Sequence, residues 1–544
     1  MAFSRPRLGT GAPLTRRGFV GMSAAGAAAV FLGIGGRSAA SPAPRHRLPD
    51  YPFKLGVASG DPLPDSVVLW TRLAPDPLAE GGLGGMPRDK RYVLRWQVAE
   101  DEQFRRVVKH GTATATPELG YSVHPEVWGL RPGRHYYYRF MLGNEISPVG
   151  RTKTAPAVGA AISSLTFAFA SCQEWSSGFY TAHRHLAEQD LDVAIHLGDY
   201  LYESAINAHG GARNQPVPEH FRSETITLER YRIQYALYKS DPDLIAAHHA
   251  HPWIVTLDDH EVENDWAGEV PEASSQTKGE LWMPRRAAAF QAYYENLPLR
   301  AAQLPDGPDM QLYRKLSYGN LVDFNVLDTR QYRDDQIADT WDGPQTPEAY
   351  EPRRTILGWE QEGWLLNNFA RSKARWQVLA NQAPLAETVT HWDPVKTVTI
   401  DNWDSYVANR QRVLNGARER GVENLIVITG DRHQNNVLNL KADYDDPDSP
   451  VVGAEFVGNS ITSGGNGADM TEEGRRMLAN NPHLKFWNQQ RGYVRCTVTK
   501  DLWTSDFLVL PSVTEPNAPV STRASYVVEN GVPGATLDTE RPVG

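Results

Sequence analysis

Polar residues with metal-binding or acid–base chemistry follow six apolar segments that are typical of buried β-strands. The residues that stand after these segments are Cys172, Asp199 with Tyr202, Asp259 with His260, Arg330, Asn381, and Asp431 with His433. In open α/β sheets, ligands bind outside the carboxyl ends of the strands. We therefore expect these side chains to converge at one edge of a sheet and to form a single site.

The types of these side chains predict a mixed metal centre. Carboxylates bind hard cations and balance their charge, whereas imidazoles suit transition metals. A thiolate at Cys172 and a phenolate at Tyr202 would favour a strongly Lewis-acidic ion such as iron(III). Tyr202 follows Asp199 by three residues, so one turn could direct both side chains at one ion. Metal ions held close together can activate water and clamp an in-line displacement at phosphorus.

Two regions with different periodicity must position this site. Residues 41–156 contain short β-branched and aromatic runs separated by turn signals, which predicts a small β-sandwich of immunoglobulin or fibronectin type. From residue 162 to residue 511, apolar strands alternate with amphipathic helices, expected at 181–189, 285–295 and 359–372. This alternation predicts an α/β catalytic domain with helices on both faces. Residues 512–544, rich in Pro, Thr, Ser and Val, are expected to extend over its surface.

The first 40 residues resemble a twin-arginine signal peptide. Arg16 and Arg17 precede an Ala- and Gly-rich apolar stretch, and small residues at 38–40 suit a signal peptidase. The stretch is too short to span a membrane, which takes about 20 apolar residues. We expect recognition by the twin-arginine translocase, export in the folded state, and a secreted protein without a transmembrane anchor.

The amino-acid composition limits the kinds of partner and cross-link that we expect for this protein. The chain has 65 Asp and Glu residues and 55 Lys and Arg residues. The resulting net charge of −10 argues against the binding of nucleic acid by electrostatic attraction. The two cysteines exclude a disulfide framework. Cys496 lies in an alternating strand pattern and is predicted to be a core residue, whereas Cys172 at a strand exit is predicted to be a ligand.

An ordered set of motifs closely resembles the PhoD-like alkaline phosphatases, a branch of the metallophosphoesterases. The motifs are Ser171-Cys172-Gln173, Gly198-Asp199 with Tyr202, Asp258-Asp259-His260-Glu261, Asn381-Gln382, and Gly430-Asp431 with His433. Segments 53–62, 327–333 and 488–493 carry the same resemblance. It implies an αββα sandwich as the catalytic domain, preceded by the small β-sandwich.

The resemblance also implies a centre of Fe³⁺ and Ca²⁺. The implied iron ligands are Cys172, Asp199, Tyr202 and His433. Asp199 would bridge to calcium, with Asp259 and Asp431 as further ligands. His260 would neutralise charge on the transferring phosphoryl group. Asn381 and Arg330 are candidates for the metal or phosphate shell.

Three functions follow as hypotheses. The first is a secreted, metal-dependent phosphoester hydrolase of alkaline-phosphatase type, in which a metal-bound hydroxide or oxide attacks the phosphorus of monoesters and diesters. The second is a phospholipase D-type phosphodiesterase that acts on phospholipids. The third is a non-catalytic protein that binds the cell wall through the β-sandwich. Small phosphoesters, phospholipids and teichoic-acid-like polymers all stay open as substrates.

Overall fold

The computed structural model describes residues 48–392 and 395–541. The predicted signal peptide at 1–40 lies outside the described residues. The 26 strands, in chain order, are β1 Val57–Leu63, β2 Ser66–Arg72, β3 Tyr92–Ala99, β4 Val107–Ala115, β5 Ser122–Val123, β6 Glu126–Trp128, β7 His135–Leu142, β8 Glu145–Ile146, β9 Gly150–Lys153, β10 Ser164–Ala170, β11 Val193–His196, β12 Pro252–Val255, β13 Arg314–Tyr318, β14 Val322–Val326, β15 Asp342–Pro344, β16 Trp376–Ala380, β17 Val389–His391, β18 Thr397–Thr399, β19 Leu425–Thr429, β20 Asn435–Lys441, β21 Val451–Val457, β22 Leu484–Asn488, β23 Gly492–Thr499, β24 Leu502–Val509, β25 Ser521–Glu529 and β26 Thr536–Glu540.

Seven α-helices in the described part of the chain cover the sheets. They are α1 Thr181–Ala187, α2 Leu228–Lys239, α3 Pro242–Ala250, α4 Trp282–Asn296, α5 Gly358–Arg371, α6 Val407–Glu419 and α7 Glu472–Asn480. The three helices that the periodicity predicts at 181–189, 285–295 and 359–372 correspond to α1, α4 and α5. Several helices begin with side-chain caps: the Asp241 carboxylate, for example, accepts hydrogen bonds from the first-turn amides of α3.

Two large sheets form the centre of the molecule. The first has eleven strands in the order β26-β25-β24-β23-β10-β11-β12-β1-β2-β5, with β6 also paired to β2. The second has seven strands in the order β13-β14-β16-β19-β21-β20-β22. Strands β10, β11 and β12 run parallel, and so do β14, β16, β19 and β21. The carboxyl ends of each parallel group therefore lie along one edge of its sheet.

Side chains alternate across β10 and connect the layers. Phe167 and Phe169 face the core between the two sheets, whereas Ala168 and Ala170 face the core beneath α1 to α4. Helices α5, α6 and α7 pack on the outer face of the seven-stranded sheet. The layers are thus helix, sheet, sheet and helix, an α/β architecture. Cys496 is fully buried between the sheets, which confirms its prediction as a core residue.

The region expected as a separate β-sandwich is divided between two sheets. Strands β3, β4, β7, β8 and β9 form a five-stranded sheet, which packs through an apolar core on β1, β2, β5 and β6. However, β1 also pairs with β12 in parallel, with Ser59 opposite Pro252. The Arg314 guanidinium binds Asp61 at 2.6 Å at the same junction. The large sheet therefore runs across the expected boundary near residue 156.

The segment beyond residue 511 adds strands as well as covering the surface. Strands β25 and β26 form the outer edge of the eleven-stranded sheet, where β25 pairs with β24 over its whole length. Before β25, the Val513 carbonyl accepts a hydrogen bond from the Phe179 amide at 2.7 Å. The extension is thus fixed both to the sheet and to the loop that follows Cys172.

Candidate metal centre and active site

The loops that follow the parallel strands meet at one edge, where both large sheets open. The Cys172 amide donates to the Gly198 carbonyl at 3.1 Å, which joins the loops after β10 and β11. The Gly430 amide donates to the Gln382 carbonyl at 3.1 Å, which joins the loops after β16 and β19. A parallel bridge between Ser171 and Ser460 then connects the two sheets. The predicted site residues lie on these connected loops.

Left-handed backbone conformations are concentrated at this edge. Half of the ten non-glycine residues with positive φ in the described chain are Cys172 (56°), Asp199 (54°), Asp265 (52°), Asp431 (65°) and His433 (52°). Such conformations cost about 1–2 kcal/mol for residues with a Cβ atom. They persist where the surrounding structure enforces them, and they gather at functional sites.

Four predicted ligands form the thiolate cluster, which consists of Cys172, Asp199, Tyr202 and His433. The ligand atoms of Cys172, Asp199 and His433 all lie within 4.8 Å of one another. The Tyr202 hydroxyl donates to Asp199 Oδ2 at 2.9 Å and lies 3.1 Å from His433 Nε2. The sequence prediction that these four side chains converge is therefore matched by their positions.

The thiolate cluster has the properties of a cation site. Asp199 Oδ1 is buried and has no hydrogen-bond partner among the described residues, which is costly for a carboxylate oxygen. Burial, together with neighbouring carboxylates, raises the pKa of Asp199 well above its usual range. Burial lowers the pKa of His433 to about 3, so its imidazole is neutral and keeps a lone pair for a metal. Thiolate, phenolate, carboxylate and imidazole together suit a transition metal.

A second group of acids, the carboxylate cluster, consists of Asp258, Asp259, Asp265 and Asp401. Oxygen atoms of Asp259, Asp265 and Asp401 lie within 4.8 Å of one another. Ligand atoms of Asp259, Asp199 and His260 also lie within 4.8 Å of one another, so Asp259 connects the two clusters.

Arg330 supplies the positive charge of the carboxylate cluster. Its fully buried guanidinium binds Asp258 Oδ1 at 2.6 Å and Asp401 Oδ2 at 2.7 Å, with Asp259 Oδ2 at 3.6 Å. Although burial opposes it, Arg330 and His260 lower the pKa of Asp259 below its usual range. Burial raises the pKa of Asp258 to about 7 against the opposing charge of Arg330. Arg330 thus holds the carboxylates in place, and its guanidinium is already occupied by them.

His260 lies between the clusters and is held by Glu203. Its ring stacks on Tyr202 at 4.1 Å between centroids, and its Nδ1 lies 2.8 Å from Glu203 Oε2. Burial would lower the pKa of His260, but the charges of Glu203, Asp259 and Asp199 hold it well above its ordinary value. The ring is therefore protonated, Nδ1–H donates to Glu203, and Nε2–H is left for another acceptor.

The structure does not bring two predicted residues into these groups. The Asn381 amide donates to the Ala383 carbonyl, and its Oδ1 accepts from the Trp403 indole at 3.4 Å, so both ends are occupied. Asp431 lies within electrostatic range of Cys172 and Asp259 but belongs to none of the close ligand groups found in the described residues.

Sequence reasoning missed several residues that shape the site. The Glu261 carboxylate accepts hydrogen bonds from the amides of Asp199, Tyr200 and Asp258, and so fixes two ligand loops at once. Glu203 directly follows Tyr202, and its position beside a predicted ligand was a usable signal. Asp265 and Asp401 stand in loops without a motif, and they gave no such signal.

A cavity of about 290 Å³ opens beside the carboxylate cluster. Its lining includes Asp265 and Asp401, and its outer wall includes Glu272, Asp339 and the exposed indole of Trp341. This cavity connects the buried acids with the surface.

Known proteins are similar to this chain in sequence and in fold. The family model for the PhoD-like phosphatase matches residues 167–507, and that for the PhoD-like phosphatase N-terminal domain matches residues 38–156. Alkaline phosphatase D of Bacillus subtilis (strain 168) is 52% identical over 484 residues, which cover 89% of this chain and 82% of that protein. The solved structure of PhoD is 50% identical with a TM-score of 0.87, and the match covers 91% of this chain and 94% of the other.

These similarities show that the chain is a phosphoric ester hydrolase. Both the sequence match and the structural match cover most of the chain. The chain belongs to the PhoD-like phosphatase family. The hypothesis of a non-catalytic wall-binding protein is therefore wrong. Among residues 48–392 and 395–541, no helix has the length and apolarity needed to cross a membrane.

Proposed function

We propose that this phosphoesterase is an exported, metal-dependent enzyme that holds Fe³⁺ and Ca²⁺ at the edge where its two sheets open. One observation carries the proposal. A thiol, a phenol and an imidazole converge on the Asp199 carboxylate, and one buried oxygen of that carboxylate has no hydrogen-bond partner among the described residues. A cation would satisfy that oxygen, and this donor set suits a transition metal.

The residues divide between the two proposed ions. Cys172, Asp199, Tyr202 and His433 would hold iron. Asp199 would also reach calcium, together with Asp259 and Asp431, because carboxylates are the ligands that hard cations prefer. Asn381 stays a candidate for the surrounding shell. When bound, the ions would supply Lewis acidity that activates water and offsets the charge of the phosphate oxygens.

The protein's own groups prepare the site for a phosphoester. His260 would present its Nε2 proton to a phosphoryl or leaving-group oxygen, while Glu203 holds Nδ1 and fixes the plane of the ring. Arg330 would act through Asp258, Asp259 and Asp401 rather than by contacting the substrate, because its guanidinium is already bound to them.

The order of layers supports a metallophosphoesterase-type αββα sandwich. We assign residues 162–511 to this catalytic domain, residues 41–156 to an immunoglobulin- or fibronectin-like β-sandwich, and residues 512–544 to a C-terminal extension. Residues 1–40 would be a twin-arginine signal peptide that directs secretion. Changing Arg16→Lys and Arg17→Lys together should leave the precursor in the cell, and unchanged secretion of the double variant would contradict this route.

Metal analysis is the direct test of the proposal. Elemental analysis of the purified protein should find iron and calcium, and a chelator should abolish hydrolysis. Protein that contains neither ion, and that keeps its activity after chelation, would overturn the metal-dependent mechanism.

The substrate range needs a separate test. Rates on a phosphate monoester, a simple phosphodiester and phosphatidylcholine should be compared at equal enzyme concentration. We expect turnover of the monoester and the diester. Negligible monoester turnover together with choline release would instead favour the phospholipase D-type alternative.

A further inference from the structure

Arg491 lies in the segment 488–493 that connects β22 and β23, and its guanidinium is buried, with the residue only 2% exposed. It donates four hydrogen bonds. They run from Nη1 to the His433 carbonyl (2.6 Å) and to Asn459 Oδ1 (2.6 Å), from Nε to the Gly465 carbonyl (2.6 Å), and from Nη2 to the Gly464 carbonyl (3.1 Å). All four acceptors are neutral. A buried arginine usually has an acidic partner, so the positive charge here needs another explanation.

The acidic groups within electrostatic range of Arg491 are Cys172 and Tyr202, and burial raises the pKa of both. Burial lowers the pKa of Arg491 to about 10, while Cys172 and Tyr202, in their ionised forms, oppose that change. The charge of Arg491 therefore acts on both the thiol and the phenol. A nearby positive charge favours the ionised form of an acidic group, and a metal binds these two ligands as anions.

The hydrogen bonds also hold the backbone of two ligands. His433 has a left-handed φ of 52°, and its own carbonyl is the one that Arg491 Nη1 binds. The carbonyls of Gly464 and Gly465 lie in the loop whose Thr462 and Ser463 amides donate to the Cys172 carbonyl at 3.4 and 3.3 Å.

The approach of the guanidinium to this loop requires glycine at position 464. A Cβ atom on Gly464 would lie 2.7 Å from Arg491 Nη2, and Gly464 has a φ of +83°. The loop and the arginine therefore fit each other at close range.

We propose that Arg491 is the positioning residue of the thiolate cluster, which orients His433 and Cys172 through their backbones. This inference rests on the proposed metal centre. Loss of groups that orient metal ligands weakens metal binding by about 10- to 100-fold.

The test is a titration of metal-stripped protein with Co²⁺ as the probe, followed by the thiolate-to-cobalt absorption. Arg491→Met should weaken Co²⁺ binding by about 10- to 100-fold. Arg495→Met is the matched control, because Arg495 lies four residues further along the chain, on β23, and binds Asp506 and Gln189 instead. The control should bind Co²⁺ as the wild type does.

Arg491→Lys separates positioning from general stability. Lysine keeps the charge but cannot span four acceptors, so this variant should bind Co²⁺ more tightly than Arg491→Met and less tightly than the wild type. Unfolding temperatures of all metal-stripped variants provide the second readout. If both Arg491 variants bound Co²⁺ with wild-type affinity, the role of Arg491 would be overturned but the proposed metal centre would not. A wild type without a thiolate-to-cobalt band would overturn the proposed metal centre and this inference together.

Discussion

The thiolate cluster and the carboxylate cluster lie side by side, but they balance charge by different means. The carboxylate cluster contains its own cation, since Arg330 binds Asp258 and Asp401 at 2.6 and 2.7 Å. The thiolate cluster has no such internal partner among the described residues, and Asp199 Oδ1 is left without a donor. The carboxylate cluster therefore has an internal cation, whereas the thiolate cluster is arranged for a cation that comes from outside.

The largest expected effect is on the thiolate cluster. Cys172→Ala should lower phosphoester hydrolysis by about 1000-fold, because a metal contributes several kcal/mol to the stabilisation of transition-state charge. Elemental analysis should show loss of the transition metal, with an unchanged circular dichroism spectrum. Cys496→Ala is the matched control, since it removes an equally buried thiol from the core and should keep both metal and activity. An active, metal-replete Cys172→Ala protein would refute the ligand assignment.

The next effect is on the carboxylate cluster, and it concerns stability. Arg330→Met should lower the free energy of unfolding by about 3–5 kcal/mol, because it leaves buried carboxylates without their partner. Arg412→Met removes a guanidinium from a more exposed pair with Glu362 and should cost about 1 kcal/mol or less. Urea denaturation of both variants measures the difference. Equal decreases in the free energy of unfolding would mean that Arg330 does not stabilise the buried carboxylates more than Arg412 stabilises its more exposed pair.

The same substitution in each cluster should act with opposite sign in metal-stripped protein. Asp199→Asn should raise the free energy of unfolding at neutral pH by about 1–3 kcal/mol, since it replaces a carboxyl group whose charge is costly to bury, as its raised pKa shows, by a side chain that is neutral in both the folded and the unfolded protein. Asp258→Asn should lower it by about 1 kcal/mol, because a neutral amide binds Arg330 more weakly. Chemical denaturation after chelation measures both. Destabilisation by Asp199→Asn would contradict the difference between the clusters.

A further effect is expected at Glu203, which holds the histidine between the two clusters. Glu203→Gln keeps an acceptor for the Asn264 amide but removes the charge that holds His260 protonated. We expect kcat to fall by about 10- to 100-fold with little change in KM, as befits weakened proton donation. Steady-state kinetics on a phosphate monoester decide the matter, and a changed KM with unaltered kcat would place Glu203 in substrate binding instead.

Local pattern was sufficient for most of the catalytic region. The apolar runs before Cys172, Asp199 and Asp431 are strands, and their parallel order carries the residues that follow to one edge. Periodicity and the strand-end rule therefore predicted the α/β architecture and the convergence of the residues that follow the strands. The grouping of Cys172, Asp199, Tyr202 and His433 as one set of ligands came from the resemblance to the PhoD-like phosphatases.

The pairing of strands that lie far apart in the sequence could not be predicted from local patterns. Strand β1 pairs with β12, which lies almost 200 residues later, and no local signal identifies such a partner. The Pro- and Thr-rich composition after residue 511 suggested a surface extension, yet the β-branched residues of β25 also suit a strand that joins an open edge. Asp401 reaches Arg330 from a loop whose sequence resembles any other polar turn.

The pairing of β1 with β12 has a practical consequence for anyone who wishes to produce the catalytic region by itself. A chain that began at residue 162 would leave one side of β12 with open backbone donors and acceptors, beside the buried apolar side chains of Trp253 and Ile254. An apolar strand exposed in this way is a template for intermolecular association. Such a fragment would aggregate, so the smallest well-behaved unit of this enzyme includes the strands that precede its catalytic motifs.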